Sequence, residues 1–196
     1  MTIPHHLPFK FLPAAQISPA SQSVYDQNRS GMIFAYLAIS SDNVASFCLG
    51  MDVSGKRLSQ ALLRYLMQKR CVNILAHLIR TCKKLPNVCP PENLLLTVLY
   101  EMDGCQILPG IKAIEETFPG TIKSAEDASH RNALWYTLRH HSQVRHANFC
   151  CATDIEDVEQ YLLSKGCDPA KPSSDRFSWQ TMRRVINVVK HYEMNE

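Results

Sequence analysis

Histidine and cysteine, the side chains that most often bind zinc or serve in nucleophilic catalysis, are concentrated in residues 139–151. The ligand-type residues there are His140, His141, His146, Cys150 and Cys151. The adjacent His-His and Cys-Cys pairs cannot easily both bind one tetrahedral ion, and their spacing fits no structural zinc pattern. We therefore predict no metal and no cofactor. The alternative is an enzyme or a metal-dependent helical domain that uses residues 139–151, which we call the insertion.

The sequence motifs of common catalytic sites do not occur in this chain. It has no Gly-x-Ser-x-Gly, no phosphate-binding loop and no His-Glu-x-x-His. With eight histidines and eight cysteines, chance Cys–His pairs are expected in any fold. We therefore predict no catalytic residues and a protein that is not an enzyme.

One stretch of the chain is strongly basic. Between Asp52 and Glu92 there is no acidic residue, whereas eight lysines and arginines occur there. The next stretch, residues 92–127, holds seven acids against two lysines. Such a basic surface can steer an acidic protein partner toward it, although a solvated face needs no partner at all.

Six arginine, lysine and histidine side chains are candidates for contact with a protein partner. They lie in the basic stretch and in the insertion: Arg64, Lys69, Arg70, Arg139, His141 and Arg145. The basic residues lack interleaved aromatics other than Tyr65, and the net charge is only +3, so we do not expect nucleic acid binding.

The composition predicts a globular protein that does not insert into a membrane. Hydrophobic residues make up 45% of the 196 residues, but no apolar run approaches the roughly 18 residues that a membrane span needs. The first residues lack a basic segment before an apolar stretch, so we expect no signal peptide. The eight cysteines show no Cys-x-x-Cys and are expected to be reduced thiols of a cytoplasmic protein.

Proline spacing divides the chain into an arm and a helical domain. Residues 1–30 carry Pro4, Pro8, Pro13 and Pro19 and are predicted to form an extended N-terminal arm. From residue 31 to 196 the apolar residues recur at three and four, which is helical spacing. The predicted helices are 32–40, 42–49, 57–68, 72–83, 90–100, 106–118, 132–139, 155–165 and 179–191.

Two helix ends carry specific signals. Gly50 is predicted to end the helix 42–49, and Gly166 to end the helix 155–165. The run Thr153-Asp154-Ile155-Glu156 has the form of a capping box and predicts a helix start. Short paired helices cannot bury an apolar face alone, so stacked pairs are expected to share a core, although a plain helical bundle has the same periodicity.

Residues 127–169 resemble an ankyrin repeat, whose pattern is D-x-x-G-x-T-P-L-H-x-A followed by V-x-x-L-L-x-x-G-A-D. The matching residues are Asp127, Leu134, Val158, Leu162, Gly166 and Asp168. His130 stands where glycine is usual, Asn132-Ala133 replaces Thr-Pro, and Trp135 replaces the histidine. The resemblance implies an all-α, helix-turn-helix solenoid of about four to five degenerate ankyrin-like repeats with an irregular N-terminal arm.

The same resemblance implies a function in binding. In ankyrin proteins the inner helices and finger turns form a concave surface that contacts another protein. Bacterial members act as intracellular adaptors or as effectors exported into a host cell, so a signal-peptide-independent export route is also compatible with it. Trp135, Tyr136, Phe177 and Trp179 could supply contacts on this surface or pack between repeats. A structural fragment of a larger assembly is a third reading.

Overall fold

The computed structural model describes residues 19–55, 57–142 and 150–193, and these residues form α-helices joined by short turns. No β-strand occurs in these ranges, only two isolated β-bridges, so the expected all-α class is confirmed for the described chain. No helix in these ranges is long and apolar enough to cross a membrane. The helices are α1 (Pro19–Ser40), α2 (Val44–Ser54), α3 (Gln60–Gln68), α4 (Val72–Thr81), α5 (Leu85–Val88), α6 (Pro91–Glu101), α7 (Ile107–Thr117), α8 (Thr121–Ser124), α9 (Ala133–Ser142), α10 (Cys150–Ser164) and α11 (Trp179–Glu193).

The chain divides into two compact units within α4. Unit 1 ends at Ile74 and unit 2 begins at Leu75. The sequence pattern predicted one helical domain from residue 31 onward, and nothing in the periodicity indicates this division, because the apolar spacing runs through it unbroken.

Helix α1 begins earlier than the proline pattern predicted. Residues 19–30 were expected to belong to the extended arm, but they are helical. Proline is tolerated at the first position of a helix, where its missing N–H has no intrahelical partner. Pro19 occupies that position, and the next proline is Pro86, so nothing interrupts the helix after it. The predicted arm residues 1–18 lie outside the described part of the chain.

In unit 1, α1 and α2 cross at two glycines. A Cβ atom on Gly31 would lie 2.5 Å from the Ser54 nitrogen, and one on Gly50 would lie 2.5 Å from the Ala35 nitrogen. Only glycine allows this backbone-to-backbone approach. The prediction that Gly50 ends its helix is therefore wrong: the helix continues to Ser54 and ends at Gly55, whose φ is 60°.

The turn between α1 and α2 supplies polar caps for two helices. The Asn43 side chain accepts a hydrogen bond from the Ser46 nitrogen and caps α2. The Asp42 carboxylate accepts from the backbone nitrogens of Asn73 and Ile74, at 2.8 and 2.9 Å, in the first turn of α4. Asp42 therefore caps α4 rather than α2.

In unit 2 the helices pack as neighbouring pairs. Helix α6 packs against α7 and α9, and α9 packs against α10 and α11. The shared core is aliphatic and fully enclosed; its members include Leu94, Leu95, Leu99, Ile107, Ile111, Ile114, Leu134, Ile155, Val158 and Leu162. Their spacing of three and four places them on one face of each helix, so burial of these faces holds the helices together.

The two ends of α10 gave opposite outcomes for the sequence prediction. The helix begins at Cys150, so the run at 153–156 lies inside it and the predicted capping box does not start it. A capping-box sequence cannot stop a helix that extends through it from an earlier residue. The C-terminal prediction is confirmed: Gly166 has a φ of 85° and the Cys167 nitrogen donates to the Leu162 carbonyl.

Candidate interaction surface

Three aromatic and two arginine side chains are grouped on α6, α9 and the turn before α9. We call this set the aromatic–arginine cluster; it comprises Tyr100, Arg131, Trp135, Tyr136 and Arg139. The Arg139 guanidinium carbon lies 4.4 Å from the centre of the Tyr100 ring. The Tyr136 ring meets the Tyr100 ring edge-on, with centroids 6.5 Å apart and planes at 80°. Tyr100 is nevertheless 52% exposed, so its ring remains accessible to solvent.

The last carbonyl groups of α6 fix the position of α9 side chains. Arg139 donates a hydrogen bond to the Tyr100 carbonyl oxygen. The His140 Nε2 lies 2.9 Å from the Leu99 carbonyl oxygen and must donate to it, because a carbonyl can only accept. Burial lowers the pKa of His140, against the opposing effect of this hydrogen bond. Carbonyl groups at the end of α6, which have no partner within their own helix, thus accept hydrogen bonds from α9, and these bonds orient Arg139 and His140.

Tyr136 connects the cluster to the turn before α9. Its hydroxyl donates to the Asp127 carboxylate at 3.1 Å. Burial raises the pKa of Tyr136 to about 12, and the contact with Asp127 adds to this, so the phenol stays protonated and keeps donating. The other Asp127 oxygen accepts from the backbone nitrogens of Ser129 and Arg131, at 2.8 and 2.9 Å.

Two turns of the same construction precede α9 and α11. The first loop is residues 126–132 and the second loop is residues 172–178, each closed by one β-bridge between its end residues. In the first, Asp127 N donates to Arg131 O and His130 N to Asp127 O. The same two bonds recur in the second, at positions 46 residues later (127 to 173, 130 to 176). His130 and Arg176 both have positive φ, 58° and 64°.

The two loops contact each other directly. The Ser174 nitrogen donates to the Ser129 carbonyl at 2.8 Å. The Arg131 guanidinium pairs with Asp175 at 2.7 Å and also lies 5.7 Å from the Trp135 ring centre. Arg131 therefore links the second loop to the aromatic–arginine cluster.

A second group of polar side chains lies where α9, α10 and α11 meet; Thr137, His141 and Glu159 are buried, and Trp179 and Arg183 are half-buried. We call it the buried polar cluster; it comprises Thr137, His141, Glu159, Trp179 and Arg183. One Glu159 oxygen accepts from the Thr137 hydroxyl at 2.8 Å and lies 2.6 Å from His141 Nε2. Burial alone would raise the pKa of Glu159, but His141, Thr137 and Arg183 together lower it below its ordinary value. The carboxylate is only 7% exposed, so this His–Glu pair is closed to a substrate.

The six predicted contact residues have different surroundings. Arg64, Lys69 and Arg70 are exposed in unit 1, where the Lys69 ammonium lies 5.7 Å from the Tyr65 ring centre. Arg139 belongs to the aromatic–arginine cluster. His141 is 3% exposed and bonds to Glu159, so its side chain is not accessible to a partner. Arg145 lies outside the described residues.

The predicted insertion 139–151 is shorter than the sequence suggested. Helix α9 continues to Ser142 and α10 begins at Cys150, which leaves residues 143–149 outside the described chain. Among the described residues, no three His, Cys, Asp or Glu side chains are grouped so that they could hold a metal ion.

Sequence reasoning missed Tyr100 and an internal repeat. The heptapeptides 65–71 and 161–167 share Tyr, Leu, Lys and Cys at the same positions. Each has a left-handed sixth residue, Arg70 or Gly166, and a lysine over the tyrosine ring. Comparing the sequence with itself at a 96-residue offset (65 to 161) would have revealed this motif. No sequence signal marks Tyr100, whose exposure depends on how α6 and α9 pack.

The chain was compared with protein-family models, curated proteins and solved structures, and no significant match was found in any of the three.

Proposed function

We propose that this chain is a protein-binding module built from degenerate ankyrin-type helix hairpins, with its partner-binding surface on unit 2. The repeated loop carries this proposal, because the same hydrogen bonds and left-handed residue recur 46 positions apart and each loop leads into a helix. Neighbouring loops with the same hydrogen bonds, in contact with each other and each followed by a helix, are typical of a repeat protein.

The details of the loops support the ankyrin assignment. His130 adopts the left-handed conformation at the position where the resembling pattern has glycine. Asp127, the first residue of that pattern, accepts the backbone donors that hold the turn closed. Gly166 ends α10 in the left-handed conformation that the second half of the pattern requires. The 96-residue repeat of the α10 ending at the end of α3 extends the evidence for internal repetition into unit 1.

The aromatic–arginine cluster supplies the binding surface in this proposal. Tyrosine, tryptophan and arginine are the residues that most often dominate the energy of protein interfaces. Here they already contact each other and are tied to helix-end carbonyls and to Asp127. A surface that is rigid before binding loses less conformational entropy when a partner arrives.

The basic stretch indicates that the partner carries negative charge on its surface. Arg64, Lys69 and Arg70 are all exposed on or next to α3. A partner with an acidic surface would be attracted to this part of unit 1 and would then form longer-lived contacts with the aromatic–arginine cluster.

Six cysteines whose side chains are described are free thiols: Cys48, Cys71, Cys82, Cys89, Cys105 and Cys167. This agrees with a reducing compartment, either the cytoplasm of the producing cell or that of a host cell.

The test compares three forms of the chain: wild type, Tyr100→Ala/Arg139→Ala, and the control Gln160→Ala/Lys165→Ala. The control removes two exposed side chains outside the proposed surface, one on α10 and one directly after it, and the lysine lies over the Tyr161 ring. A partner captured by the wild-type chain from an extract of the producing cells is purified, and its affinity for each form is measured.

We expect the cluster variant to lose about 2 kcal/mol or more of binding free energy, as truncated interface anchors do, and the control to bind like the wild type. Circular dichroism confirms that all three forms are folded. Equal affinity of the three forms would show that the cluster is not the binding surface.

A further inference from the structure

Helix α11 packs unlike the other long helices of unit 2. Among its described side chains none is buried, whereas α9 buries residues 133, 134, 137, 138 and 141. Three of its valines, Val185, Val188 and Val189, are each about half exposed, at 51%, 55% and 48%. Apolar burial stabilises α11 on the rest of unit 2 much less than it stabilises α9.

Trp179, Met182 and Ile186 are half-buried, and polar contacts with α9 and α10 add to this partial burial in holding α11 in place. The Arg183 guanidinium lies 3.6 Å from the buried Glu159 carboxylate and 3.8 Å from Glu156. The Trp179 indole N–H donates to the Thr137 hydroxyl at 3.3 Å, and that hydroxyl is itself bonded to Glu159. Arg183 directly, and Trp179 through the Thr137 hydroxyl, are therefore both linked to the Glu159 carboxylate of α10.

We propose that α11 is a releasable strap: it undocks from α9 and α10 as a unit while the rest of unit 2 stays folded, and the buried polar cluster decides when it does. Regions with few buried apolar contacts open at lower free energy than the core to which they are attached. An isolated helix of this length is marginal in water, so α11 also loses helical structure once it undocks.

The groups around Glu159 define what has to break. His141 faces it from α9, and Arg183 faces it from α11. The segment 104–117 also packs against α10, but its Lys112, Glu115 and Glu116 act on Tyr161 rather than on Glu159. Loss of the Arg183 contact leaves the Glu159–His141–Thr137 part intact on α9 and α10, so the strap can open without unfolding them.

Release changes the surface that α9 offers. Undocking of Trp179 and Arg183 brings Thr137 and the His141–Glu159 pair into contact with solvent. The chain would thus present one surface with α11 docked and a more polar one with α11 released. This inference does not depend on the identity of the partner.

Hydrogen exchange of the full chain, followed by mass spectrometry, tests the strap. In the wild type we expect amides of residues 179–193 to exchange at least about tenfold faster than those of α7 and α9. Arg183→Met keeps the aliphatic stem but removes the charge. It should accelerate amide exchange in α11 by a further factor of about ten to one hundred and leave amide exchange in α7 unchanged. Arg184→Met, an exposed neighbour on the same helix, should change α11 exchange by less than about twofold.

A second variant keeps the test decisive if Arg183→Met does not fold. Trp179→Phe keeps an aromatic ring on α11 but removes the N–H that donates to Thr137, and should again accelerate hydrogen exchange in α11 selectively. If α11 exchanges together with α7 in the wild type, or if these variants accelerate all helices of unit 2 equally, α11 is part of one cooperative unit and the proposal is overturned.

Discussion

Glu159 is a buried carboxylate whose described polar contacts all come from neighbouring helices. Its pKa lies below the ordinary value of 4.5, because the contacts with His141, Thr137 and Arg183 outweigh the opposing effect of burial. A group whose pKa is lowered by folding stabilises the protein above its unfolded pKa, and that contribution is lost as the pH falls through the folded pKa.

Glu159→Gln is therefore expected to lower the free energy of unfolding at pH 7 by about 1–3 kcal/mol. The gap between wild type and variant should shrink as the pH falls from about 5 to about 3, because the wild-type carboxylate then becomes neutral as well. Urea unfolding of both proteins at several pH values measures this gap. Glu156→Gln, at an exposed carboxylate that contacts the same arginine, should show a gap near zero throughout. A pH-independent gap for Glu159→Gln would contradict the assigned charge interaction.

At the level of elements, the crossing of α1 and α2 shows how contact geometry overrides helix propensity. Alanine favours a helix over glycine by about 1 kcal/mol, so Gly50→Ala would stabilise an isolated α2. In unit 1 the new Cβ would lie 2.5 Å from the Ala35 nitrogen and 2.7 Å from the Gly31 oxygen, both backbone atoms that cannot rotate away. The helices must then separate, and we expect a net loss of about 1–3 kcal/mol in unfolding free energy.

Gly110→Ala is the matched control for this prediction. Gly110 also lies within a helix, α7, but its added Cβ would meet a side-chain atom, Val98 Cγ1, at 3.2 Å. A valine side chain can shift by a few tenths of an ångström, so the unfolding free energy should change little. Thermal unfolding of both variants measures the difference. If Gly50→Ala lowers the thermal stability no more than Gly110→Ala does, the backbones of α1 and α2 do not cross as closely as described here.

The sequence predicted the helices whose limits are set locally. The helix predicted at 90–100, where prolines at its start suit the first helical turn, is found at Pro91–Glu101. The start of α11 at Trp179 and the end of α10 at Gly166 were likewise predicted. The role of Gly50 could not be predicted from the sequence, because a glycine that ends a helix and a glycine at a helix crossing differ only in the position of the neighbouring helix.

The candidate surface was predictable only in part. The sequence predicts Arg139 as a contact residue, and it is compatible with Trp135 and Tyr136 either contacting a partner or packing between repeats. Which of them reaches solvent depends on how α9 lies against α6, and Tyr100 becomes part of the surface only through that packing. His141 illustrates the converse: the sequence predicts it as an exposed contact residue, but its side chain is buried and bonds to Glu159, 18 positions away.

For the whole molecule, the uneven distribution of charge matters more than the net charge of +3. The basic stretch contains eight cations and no acid, and the segment 92–127 carries five more acids than bases (seven acids against two lysines). In the proposed function, the basic stretch attracts an acidic partner and the aromatic–arginine cluster then holds it. Long-range charge acts mainly on the association rate, whereas desolvated anchors act mainly on the dissociation rate.

Replacing Arg64, Lys69 and Arg70 by glutamate is therefore expected to slow association by about tenfold at low salt and to weaken its dependence on salt, with little change in dissociation. Tyr100→Ala/Arg139→Ala should instead accelerate dissociation. Surface plasmon resonance with the purified partner at several salt concentrations separates the two effects. A control with the same change of net charge, made by replacing Lys112, Lys123 and Lys165 by glutamate, should slow association less, because these exposed lysines lie outside the basic stretch. Equal slowing by both triple variants would mean that only net charge matters, and that the basic stretch does not direct the partner.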